Sequence, residues 1–132
     1  MRNLTGIVFG NGVMVVNTTP HPVTIQDING SLRSVPQCGA LINAKAVETQ
    51  VSDLYVSTAF VGDEEGREII ADIQEWFDEI HIPGERLVIL GSIIAAQAYP
   101  GQVVAMVPVP GYERVAPAEK RMRCDRFTVF QA

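Results

Sequence analysis

The first half of the chain alternates short apolar blocks with turn residues, the pattern of antiparallel strands. Ile7-Val8-Phe9 and Val13-Met14-Val15-Val16 flank Asn11-Gly12, a pair that favours a tight hairpin because both turn positions take positive φ. Val23-Thr24-Ile25-Gln26 and Leu32-Arg33-Ser34-Val35 flank Asp27-Ile28-Asn29-Gly30, a second hairpin with a longer loop. Between them, Thr19-Pro20-His21-Pro22 forces extended or turning backbone, since a residue preceding proline avoids the helical region. Gly39 to Glu48 and Leu54 to Phe60 read as two further strands, the second with cleaner alternation.

The period then changes. Ile69, Ile70, Ile73, Trp76, Phe77 and Ile80 fall on one face of a helix spanning Asp63 to Ile80, with Asp63, Glu64 and Glu65 at its positive end. That apolar face is broad for a small chain, and the sequence suggests that part of it is covered by a neighbouring copy. Pro83-Gly84 ends the helix. Leu87-Val88-Ile89-Leu90 is wholly apolar, as in a strand covered on both faces. Ser92 then caps a short helix from Ile93 to Tyr99, which Pro100-Gly101 stops, and Val103 to Val107 forms another strand. Strand, helix and strand in this order suggest a parallel βαβ-like pair. Pro108 to Met122 reads as a loop, and Arg123 to Phe130 as a closing strand. The expected fold is α+β: one domain over residues 1–132, mainly an antiparallel sheet with one long amphipathic helix and one short helix. It divides into N-terminal hairpins (1–60), helix and strand–helix–strand (63–107), and basic loop with closing strand (108–132).

Composition narrows the class. The chain has 132 residues, 47% of them hydrophobic and 19% charged, which suits a single folded domain and excludes disorder. No apolar run reaches the ~18 residues of a membrane span, and no signal-peptide pattern opens the chain, so a cytoplasmic protein without membrane partners is expected. A net charge of −5 argues against binding duplex nucleic acid. Cys38 and Cys124 are too few for a disulfide scaffold or zinc site, and no metal or cofactor is expected.

No catalytic constellation emerges. His21 and His81 stand outside any metal-ligand spacing. His21, between prolines, is a turn residue or a ligand contact; His81 belongs at the helix C-terminus, where a cation is favoured. Cys124, next to Arg123 and Asp125, reads as a small buried hydrophobe more readily than as a nucleophile. Two features remain. At Gly91-Ser92 a strand turns into a helix start, either to bind an anion on backbone N–H groups or simply to cap, with Gln97 following on the same helix. And Arg114, Lys120, Arg121, Arg123 and Arg126 lie in an interval holding only Glu119 and Asp125 as acids. Arginine forks suit phosphate, and the flanking Tyr112 and Phe127 could stack on a base. The alternative use of this segment is ion pairing with the acidic helix, between subunits or between segments of one chain, because Asp53 to Glu85 carries ten acids and one base, Arg67.

Asn17-Thr18-Thr19-Pro20-His21-Pro22-Val23, with Asp27, Asn29-Gly30, Val35-Pro36 and Gly39 after it, resembles the opening of small proteins from tailed-phage genomes. Ile89-Leu90-Gly91-Ser92-Ile93-Ile94-Ala95-Ala96-Gln97-Ala98 and Val107-Pro108 extend the likeness, which covers Asn17 to Phe130 in short blocks. Some of that group look like the type I Thoeris anti-defence family, which sequesters cyclic ADP-ribose-type immune signals. The resemblance implies a non-catalytic homo-oligomer in the host cytoplasm that cages a small cyclic nucleotide with arginines and an aromatic residue. Gln102 stands where that pattern has arginine, and the long acidic helix and N-terminal hairpin are additions to it. The competing expectations are a nucleotide-processing enzyme, a phosphodiesterase or glycohydrolase, and a structural phage protein.

Overall fold

The computed structural model describes residues 2–131. They form one α+β domain of nine strands and two α-helices, with mostly antiparallel pairing. β1 (Ile7–Val8) and β2 (Val13–Asn17) make the first hairpin, and β3 (Val23–Gln26) and β4 (Leu32–Val35) the second. Both loops are built alike. Gly12 N–H donates to Phe9 O and Gly30 N–H to Asp27 O, both at 2.9 Å, and each glycine has positive φ (83° and 88°). These are three-residue loops ending in a left-handed glycine. Asn11 does not take the positive φ that a two-residue Asn-Gly turn requires. The loops also dock: Asp27 Oδ1 accepts from Gly10 N–H at 2.9 Å, and the Arg33 guanidinium lies 5.1 Å from the centre of the Phe9 ring.

Long-range pairing is parallel. β2 runs beside β7 (Arg86–Leu90) from Val13↔Arg86 to Asn17↔Leu90, and β3 beside β9 (Met122–Thr128) at Ile25↔Met122. β9 also pairs antiparallel with β8 (Ala105–Pro108). Isolated bridges, Asn17↔Gln37 and Leu90↔Val104, link the two sheets at the level where Asn17 faces Leu90. There β2, β7, β8, β9, β3 and β4 close into a ring. The expected βαβ pair is thus reduced to the Leu90↔Val104 bridge. After Val104 the chain enters β8, whose ladder is the antiparallel one with β9.

The Val13–Val16 run is apolar throughout because β2 is buried on both faces. Val13 and Val15 point into the ring with Phe9, Ile25, Val35, Leu90 and Cys124, while Met14 and Val16 face the helical layer. That layer is α1 (Glu64–Ile80) and α2 (Ile93–Ala98). Asp63 caps α1 by accepting from Gly66 N–H at 2.9 Å, and His81 closes it, its ring nitrogen 2.7 Å from Phe77 O and its ring stacked on Phe77 at 4.4 Å. Ile69, Ile70, Ile73 and Phe77 are buried in this chain's own core, so the part of the face left for a neighbour to cover is Trp76, partly exposed, and Ile80, exposed. Full burial of one such side chain contributes about 1.5–3 kcal/mol, sufficient reason for the fold to take them inside.

β5 (Lys45–Gln50) and β6 (Val56–Val61) form a separate, largely exposed ribbon, beginning later than the expected strand from Gly39. One of its faces presents Val47, Val51, Tyr55 and Val61, with Lys45 as the only charge. Among the described residues no helix is long and apolar enough to cross a membrane.

Candidate functional site

The candidate residues separate into three places. The first is the Gly91-Ser92 corner. Gly91 is buried, and its N–H donates to Val104 O at 2.9 Å, so this amide is already used in the bridge. A Cβ there would lie 2.5 Å from Val103 Cγ1 and 3.3 Å from Ala95 Cβ. Gly91 is therefore required by close packing. Ser92 caps α2, its Oγ accepting from Ala95 N–H at 3.2 Å, and Gln97 is exposed on that short helix.

The Asn17–Pro22 corner lies beside it, and its polar groups are satisfied internally. The fully buried Asn17 amide donates to His21 O at 2.8 Å and Val35 O at 3.2 Å, and its Oδ1 accepts from Thr19 N–H and Thr19 Oγ1. Thr18 Oγ1 donates to Leu90 O at 2.8 Å. His21 contributes its backbone carbonyl, with its ring exposed. The sequence block that carries the resemblance is thus a device for joining β2, β4 and β7.

The basic segment behaves differently. After β8 the chain makes a turn in which Tyr112 N–H donates to Val109 O, and Val109 N–H to Arg121 O, each at 2.9 Å. A short 3-10 turn, Pro117–Glu119, carries the chain back to β9. This fold-back lays the Arg121 guanidinium 4.5 Å from the centre of the Tyr112 ring. Together with Thr24, Leu32 and Lys120 they line a cleft of about 400 Å³, within the usual range for small-molecule sites. Stacking fixes the guanidinium plane without consuming its N–H donors. Among the described residues, Arg114, Lys120, Arg121 and Arg126 make no ion pair, and none meets α1. Arg123 is committed: it grips Asp125 with two bonds, 2.7 and 2.9 Å, which holds the Asp125 carboxyl below its ordinary range.

Arg126 and Phe127 fall elsewhere, in a cleft between β7 and β9 with Arg86, a residue that no local pattern singles out because the parallel β2–β7 pairing brings it there. Burial pushes both thiols up, Cys38 and Cys124, so neither is a ready thiolate. Among the described residues no three His, Cys, Asp or Glu side chains gather as metal ligands. Compared with protein-family models, with curated proteins and with solved structures, the chain matches none.

Proposed function

We propose that the protein binds and sequesters a small cyclic nucleotide of the cyclic ADP-ribose type, without turning it over, in the cytoplasm of a phage-infected bacterium. The observation that carries this reading is the Tyr112–Arg121 stack beside Lys120 at the wall of the 400 Å³ cleft. A diphosphate needs several fixed cationic donors; Arg121 and Lys120 supply them with Glu119 as the only acid in the lining. Thr24 offers a hydroxyl and Leu32 an apolar wall for a base or ribose. A glycohydrolase needs a pair of carboxylates and a phosphodiesterase an activated nucleophile, whereas the cleft lining holds the single carboxylate of Glu119 and neither histidine nor cysteine.

The same reading takes the protein as a homo-oligomer. Its support is the β5–β6 ribbon, whose exposed Val47, Val51, Tyr55 and Val61 form a nearly uncharged face. A two-stranded ribbon is only marginally stable alone in water, so a second copy laid on that face would stabilise it.

Incubation with cyclic ADP-ribose, removal of free ligand and heat denaturation separates the alternatives. Sequestration returns the ligand intact, a phosphodiesterase or glycohydrolase returns product, and a structural phage protein retains no ligand.

A further inference from the structure

The geometry points to a second binding site, independent of the Tyr112–Arg121 cleft, for a small organic phosphate with an apolar body, in the gap between β7 and β9. β7 is the last strand of its sheet, and among the described residues its outer edge is bridged to the rest of the ring at Leu90↔Val104 alone. β9 faces that edge where its own ladder is irregular: Met106 pairs with Phe127 but Pro108 with Met122, so the residues between bulge out of register with β8. Bulges of this kind re-aim side chains at barrel rims and beside sites.

The resulting cleft is about 330 Å³. Its apolar lining is Val13, Leu87, Val88 and Phe127, of which Val13, Val88 and Phe127 belong to or pack against the interior cluster of the ring. Arg86 and Arg126 line the same cleft, both exposed and neither in an ion pair among the described residues. The acid present, Asp125, is held by Arg123. Asn11 is fixed as well, donating to Cys124 O at 3.0 Å and accepting from Val13 N–H at 3.2 Å. Two arginine forks, with the one carboxylate of the lining bound by Arg123, match a dianionic head better than a monoanion, which selects a phosphate monoester over a carboxylate. The apolar wall selects an ester with a ring or short aliphatic group over inorganic phosphate.

The test is an amide NMR titration of the intact chain with phenyl phosphate, with inorganic phosphate in parallel. Saturable shifts are expected at residues 11–13, 86–88 and 124–127, with phenyl phosphate binding at least tenfold more tightly than inorganic phosphate. Arg86→Glu combined with Arg126→Glu should abolish saturation while leaving the remaining spectrum in place, since neither side chain holds a partner. Shifts that never saturate, shifts centred on Tyr112 and Arg121, equal affinities for the two probes, or undiminished binding by the double variant would each overturn the proposal. Because the wild-type map stands without the variant, misfolding of the double variant would not hide the answer. Cyclic ADP-ribose retention can fail without touching this result, and the reverse also holds.

Discussion

The Asn17–Pro22 corner and the Val109–Arg121 segment are both dense in polar groups, and they use them in opposite ways. In the corner, the Asn17 side chain alone takes part in four hydrogen bonds at zero exposure, all to groups of its own chain. In the segment, Arg114, Lys120 and Arg121 hold no carboxylate among the described residues. A buried polar group must find a partner inside the fold, whereas an exposed guanidinium kept without one remains available to something else. The more recognisable sequence block is thus architecture, and the less distinctive one is where binding is proposed.

The contrast is broken most forcefully at Asn17. Asn17→Ala removes the amide donors to the His21 and Val35 carbonyls and strands the buried Thr19 N–H, leaving Thr19 Oγ1 only its bond to His21 O at 2.9 Å, and should cost about 3 kcal/mol, read as a lower denaturant midpoint. Gly91→Val comes next. Its added carbon meets Val103 at 2.5 Å, so an overpacking loss of roughly 1–3 kcal/mol is expected, against ~1 kcal/mol for removing the cap in Ser92→Ala. Equal melting temperatures for wild type and Gly91→Val would show that the glycine is there for something other than packing.

Asp27 sharpens the comparison from the acid side. The Gly10 N–H bond, then that of Ile28 and the Arg33 charge, holds its carboxyl below the ordinary 3.8. A lowered folded-state value gives stability that is present above the unfolded value and lost as pH falls through the folded one. Wild type should therefore lose melting temperature below about pH 4, and Asp27→Asn should lose less over the same interval, Asp125 supplying the remaining slope. An unchanged acid limb would remove Asp27 from the docking of the two hairpins.

Much of the local structure was legible in the sequence because its causes are local. Asp63 followed by acids and a 3.6-residue apolar period marks α1, and Ser92 marks α2. Pairing was not legible. Nothing in Val13–Val16 names Arg86–Leu90 as a partner, since a run buried on both faces reads the same beside any strand. The helix face was legible only in part for a related reason: its breadth is apparent in sequence, but the core that covers most of it is assembled from β2, β7 and α2, distant in the chain. At the site, the excess of arginines was visible, whereas their separation was not. Arg121 meets Tyr112 through a fold-back, Arg123 is spent on Asp125, and Arg126 joins Arg86 across a sheet edge.

The central claim, that the Tyr112–Arg121 stack is kept for a ligand and contributes little to the fold, is tested most directly by calorimetric titration of cyclic ADP-ribose into wild type and Arg121→Ala, with melting curves of both. The account predicts at least tenfold weaker binding, from loss of charge-assisted bonds of about 1.5–3 kcal/mol, with a change in stability within about 0.5 kcal/mol. Undiminished binding by Arg121→Ala, or a large loss of stability in it, would contradict the account.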